Sequence, residues 1–144
     1  MKFLTYLIDY GIIGILIILN IISFAIVFER LKFYKKVDPL KFTHQKELEI
    51  ELTKGLSFIA TTASNAPYIG LLGTVLGIML TFYNIGHAGL IDSKKIMVGL
   101  ALALKATAVG LLVAIPNSAL YNYLLRKVKE KLAYWEMING RKGI

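Results

Sequence analysis

Three long apolar runs decide what this chain can fold into. Tyr10–Phe28 is 19 residues without a formal charge, Gly55–Gly86 is 32, and Ile96–Leu125 is 30 interrupted only by Lys105. At about 1.5 Å rise per residue, the first run reaches roughly 28 Å as a helix, close to the hydrocarbon thickness of a bilayer. It therefore reads as a transmembrane helix. Composition agrees, because 56% hydrophobic residues and a mean hydropathy of +0.63 exceed what a soluble core of this size absorbs. A cleaved leader would have a shorter apolar region ending in an Ala-x-Ala-like site, which this run lacks.

The second and third runs are too long for single spans, and their polar residues show where each leaves the membrane. Ser57, Thr61, Thr62, Ser64 and Asn65 crowd one end of the second run, and Asn117, Ser118, Tyr121 and Asn122 crowd the matching end of the third. The expected fold is all-α and integral to the membrane. In order it has an amino-terminal segment 1–9, span 10–28, a cytoplasmic segment 29–65, span 66–85, a turn 86–95, span 96–118 and a helical tail 119–144. The second and third helices project into the cytoplasm. Pro67 marks the entry of the second span or kinks it.

Within the cytoplasmic segment, Asp38-Pro39 reads as a helix start. Leu48, Leu52 and Ile59 recur beside Glu47, Glu49 and Glu51, so an amphipathic helix should lead back to the membrane. Asp92 or Ser93 is placed to cap the third helix. Val128, Leu132 and Trp135 form an apolar stripe on the tail, and Gly140 and Gly143 end that pattern. Asn20 and Ser23 lie within one turn of each other and have the choice of a neighbouring helix or their own backbone, the latter being the ordinary arrangement for serine.

Seven Lys and Arg residues fall in 30–54 and six in 126–142, against Lys2, Lys94 and Lys95 on the opposite flanks. The positive-inside rule then puts the amino terminus outside and the carboxyl terminus in the cytoplasm. The formal net charge of +8 does not imply nucleic acid, since the cations flank apolar segments and make no single basic face. With no cysteine, and His44 and His87 expected on opposite sides of the membrane, no metal or cofactor is expected. Nor is enzymatic chemistry: there is no phosphate loop, no paired carboxylates and no Ser, His and Asp set on one side.

Small residues mark two helix faces. Gly99, Ala103, Ala106, Thr107, Gly110 and Ala114 make one stripe, and Gly70, Gly73, Thr74, Gly77 and Thr81 another. Gly70, Gly73, Gly77, Ala103, Gly110 and Ala114 are the candidate packing positions, where helices approach closely. Each stripe carries threonine, whose ordinary reading is a hydroxyl bonded to the carbonyl four residues back. Such faces need partners, and three helices do not surround an aqueous path, so an oligomer is implied.

Two motifs, Ala66-Pro67-Tyr68-Ile69-Gly70-Leu71-Leu72-Gly73-Thr74-Val75-Leu76-Gly77-Ile78-Met79 and Ala106-Thr107-Ala108-Val109-Gly110-Leu111-Leu112-Val113-Ala114-Ile115-Pro116, resemble the second and third membrane helices of the ExbB/TolQ/MotA family of bacterial inner-membrane proton channels. The likeness is closest to the ExbB branch and covers residues 55 to 125 strongly. It implies a pentamer around a central pore, with Thr74 and Thr107 lining the pore and the first helix facing lipid. It further implies an ExbD-like single-span partner carrying a titratable aspartate, and a TonB-like protein driven by the proton motive force. A TolQ-like or flagellar-stator-like role is the alternative within the family, although the short cytoplasmic segment speaks against the stator. A non-conducting membrane scaffold is the alternative outside it.

The family commonly has glutamate where this chain has Leu102, which leaves no carboxylate within the three expected spans. Threonine hydroxyls alone relay protons without carrying them, so the carrier is expected on the partner. Lys105 stands where the family usually has an apolar residue. Either the register of the third span is shifted, so that Lys105 snorkels to the outer interface, or it pairs with an acid of the partner chain in a water-filled interface.

Overall fold

The computed structural model describes residues 2–89 and 91–141 and is all-helical there. Helix α1 runs Lys2–Lys36, α2 Gln45–Leu52, α3 Leu56–Ala88 and α4 Ser93–Arg141, with a 3-10 turn at Pro39–Lys41. Helices α1, α3 and α4 are each long and apolar enough to cross a membrane. The second and third motif helices of the sequence are α3 and α4. Both continue as single helices through their polar ends, and α3 passes Pro67 without breaking. Gly140 lies inside α4, which ends at Arg141, so it does not stop the tail. Gly143 lies outside the described residues.

Contacts fix the directions. α3 and α4 form an antiparallel hairpin in which Gly70 meets Gly110 and Gly77 meets Ala103. Asp92 caps the return helix, its Oδ1 accepting from the Lys94 N–H at 3.0 Å. α1 lies parallel to α4, since Asp9 meets Lys105 at one level and Ser23 meets Asn117 farther along.

The amphipathic helix expected to lead back to the membrane is broken in two. Leu48 and Leu52 end α2, while Leu56 and Ile59 begin α3, and all four are buried in one core with Val27, Tyr34, Leu124, Val128 and Trp135. The break falls at Gly55, whose φ of +82° is open to glycine at no steric cost. A Cβ there would also stand 2.7 Å from Ile26 Cγ2. The reversal leaves carbonyls of the last turn of α2 without helical partners. Two residues of α1 take them up: Arg30 Nη1 donates to Glu51 O at 2.7 Å, and Tyr34 Oη to Leu52 O at 2.6 Å. Arg30 also pairs with Glu29 and lies 4.4 Å above the Phe33 ring. Asp38 caps the 3-10 turn, and Trp135 Nε1 donates to Phe42 O at 2.9 Å, tying that turn to the tail. This knot fixes the cytoplasm-expected end of the bundle. A second, smaller core of Ile12, Leu16, Ala66, Ala106, Val113 and Ala114 fills the membrane-expected half.

Candidate functional site

The tightest crossing in the molecule lies between α3 and α4. A Cβ on Gly70 would stand 2.6 Å from the Ala106 carbonyl oxygen, one on Gly110 2.6 Å from the Ala66 carbonyl oxygen, and one on Gly77 2.9 Å from Ala103 Cβ. Such approach is available only to helices stripped of side-chain bulk. Ala114 is buried in the core beside this crossing. Gly73 faces Ala106 and Ile12. The small faces thus meet each other and α1 inside one chain, which was not evident from the stripes alone. What the chain leaves on its outer surface is bulk: Leu71, Leu72, Val75, Met79, Leu104, Leu111 and Leu112 are all exposed.

Close approach brings Thr74 and Thr107 together. Their Oγ1 atoms are in direct hydrogen-bond contact. Thr74 Oγ1 also lies 2.9 Å from Ala103 O across the crossing and 3.3 Å from Gly70 O on its own helix, and Thr107 Oγ1 lies 3.4 Å from Gly70 O. With Thr74 donating to Ala103 O, its oxygen is free to accept from Thr107. A hydroxyl has one donor and two acceptor positions, so the pair forms a two-membered hydrogen-bonded chain. The bond to the carbonyl four back, the ordinary reading for threonine, is present at Thr74 but is the longer of its two carbonyl contacts. Thr81 makes that bond alone, to Gly77 O at 2.9 Å.

Polar links join α1 to α4 at two levels among the described residues. Asn117 is fully buried; its Oδ1 accepts from Ser23 Oγ, and its Nδ2 donates to Asn20 Oδ1 at 2.9 Å and to Val113 O at 2.7 Å. Ser23 therefore bonds a neighbouring helix and not its own backbone. The reason is that Asn117 at a buried site needs acceptor and donor partners, and α1 supplies both. At the other level, Lys105 Nζ lies 2.9 Å from Asp9 Oδ2. The acid that pairs with this lysine is in the same chain and stands one residue before the first apolar run, inside helix α1. A lysine in an apolar helix demands an acid partner, and Asp9 directly abuts the first span, as Glu29 does at its other end. Its match to position 105 needs the α1–α4 register, which spacing does not carry.

Three helices of membrane-spanning length and apolarity, with a threonine pair at the crossing of two of them, define a multi-pass membrane protein. The chain belongs to the MotA/TolQ/ExbB proton channel family, whose model matches residues 25–137. It is 56% identical over 140 residues to the biopolymer transport protein ExbB of Aquifex aeolicus, covering 97% of this chain and 95% of that protein. It is 53% identical over 133 residues to a putative biopolymer transport protein ExbB-like 2 of Helicobacter pylori, covering 92% and 89%. The Tol-Pal system protein TolQ of Haemophilus influenzae is more distant, at 36% over 118 residues, 73% of this chain and 51% of that protein. The family and the three apolar helices indicate a multi-pass inner-membrane protein.

Proposed function

We propose that this chain is the proton-channel subunit of an ExbB–ExbD-type motor that uses the proton motive force to energise TonB-dependent transport across the outer membrane. The observation that carries the reading is the Thr74–Thr107 contact, which turns two hydroxyls into one relay at a crossing that the glycines keep narrow. In this reading five copies surround a central pore, with the amino terminus periplasmic and the carboxyl terminus cytoplasmic. The titratable carrier is an aspartate on the membrane helix of an ExbD-like partner, and a TonB-like protein receives the work. Each proton crossing a potential of 100 mV releases about 2.3 kcal/mol. The chain itself performs no chemistry on a substrate and needs no cofactor. Identity of 56% with the Aquifex relative across nearly the whole length of both chains supports the ExbB branch over TolQ.

The test is co-reconstitution in liposomes with a single-span partner under an imposed potential. Proton flux is expected when both proteins are present and not with this chain alone. Absence of flux with an assembled partner would leave a scaffold as the function.

A further inference from the structure

The end of the bundle where α1 begins and α3 turns into α4 is hollow. A cavity of about 320 Å³ opens between the three helices, with Asp9, Thr81, Asn84 and Lys105 in its wall. It shares Thr81 and Asn84 with a wider recess of about 660 Å³ that reaches Asp92, Lys94 and Lys95 at the turn. Its inner wall is Gly73, Gly77 and Ala103. Ala103 supplies the carbonyl that accepts from Thr74, so the cavity stops one residue layer short of the threonine pair.

The wall is mixed, with polar groups set among apolar Ile8, Leu80 and Leu102. Thr81 and Asn84 put a hydroxyl and an amide in it. The Asp9–Lys105 pair places two further charges there. Polar cavities that are roomy enough hold water, and at liquid density this one has space for roughly ten molecules.

We propose that this cleft is a water-filled inlet inside each protomer, through which hydronium reaches the Thr74–Thr107 pair from the end of the bundle that holds the α3–α4 turn. The inlet rests on the reading of that pair as a point on the proton path, and differs from it in placing the entrance within one chain instead of between chains. Asp9 and Lys105 are positioning residues: their ion pair pins α1 against α4 beside the mouth.

The chain has no cysteine, so single-cysteine variants report on this directly. Asn84→Cys and Thr81→Cys are expressed in full-length chain assembled with its single-span partner, with Leu112→Cys, 71% exposed on the outer apolar surface, as the reference. The membrane-impermeant anionic reagent sulfonatoethyl methanethiosulfonate is applied from the side bearing the α3–α4 turn, and the mass increase is followed. Thiols in apolar surroundings stay protonated and react slowly, so the cavity positions are expected to react about tenfold or more faster than the reference. The adduct at position 84 should then cut proton flux severalfold, while unsubstituted chain is unaffected by the reagent. Equal rates at all three positions would show the cleft filled by lipid or by a neighbouring subunit and overturn the inlet. So would labelling at 84 that leaves flux unchanged. Labelling is read by mass, so a failure of the conduction reading, seen as no flux before any reagent is added, is told apart from a failure of the inlet.

Discussion

At the scale of single residues, the threonines and Asn117 make opposite predictions. Valine keeps the shape of threonine and removes the hydroxyl, so Thr74→Val with Thr107→Val should assemble normally and lose proton flux on the order of tenfold or more, as expected when a positioned proton-transfer group is deleted. Flux at the original level in liposomes holding the double variant would remove the pair from the path. Asn117→Leu acts on folding instead. It strands the buried Ser23 and the half-buried Asn20 of α1 without partners, and a stranded buried polar group costs about 1–3 kcal/mol. Thermal unfolding in detergent should fall accordingly and recover when Ser23→Ala and Asn20→Leu are added, because an all-apolar cluster leaves nothing unsatisfied. The threonines were legible in the sequence because each sits in a long motif of small residues that only a close crossing explains. The asparagine cluster was not, since an isolated polar residue in an apolar run names no partner until the register of two helices is known.

Between elements, the glycines differ sharply in what they touch. A Cβ at Gly70 meets backbone oxygen at 2.6 Å, whereas one at Gly14 meets nothing within 4 Å. Gly70→Ala should therefore push α3 from α4 and destabilise by about 1–3 kcal/mol, the usual cost of overpacking, while Gly14→Ala is neutral or slightly stabilising by helix propensity. Equal melting temperatures for the two would refute the crossing geometry. The α1–α4 register predicts in turn that Asp9→Lys and Lys105→Asp are each defective in assembly and that the combined swap recovers most of it, measured as yield of folded complex after membrane extraction. That register also bears on depth. If the apolar run 10–28 of α1 spans the bilayer, Lys105, level with Asp9, sits at its outer edge, and Asn117 enters hydrocarbon about 18 Å farther in, where its bonds to α1 remove the penalty. Helix existence was readable from apolar runs as long as a span or longer. The break at Gly55 was hidden because the charge-free run begins there, and nothing in Thr53-Lys54-Gly55 separates a turn from a helix start except the left-handed glycine itself.

For the whole molecule, the bulky outer surface of α3 and α4 leaves apolar area for lipid, further copies or a partner helix to cover. Extracted in mild detergent, the protein should show a particle mass of several chains by light scattering, and Gly73→Leu, which strikes Ile12 and Ala106 inside the protomer, should unfold chains more than it separates them. The unbroken length of α4 has a mechanical consequence. From Thr107, beside the hydroxyl contact, to Trp135 in the far knot is about 42 Å of continuous helix. Such a rod is a lever: a tilt of about 5° with its fulcrum at the threonines swings the Trp135 end by about 4 Å at that length, enough to pull the indole N–H off Phe42. Motion too slight to open a gap at the crossing is thereby magnified into a side-chain-sized stroke at the opposite end of the protein.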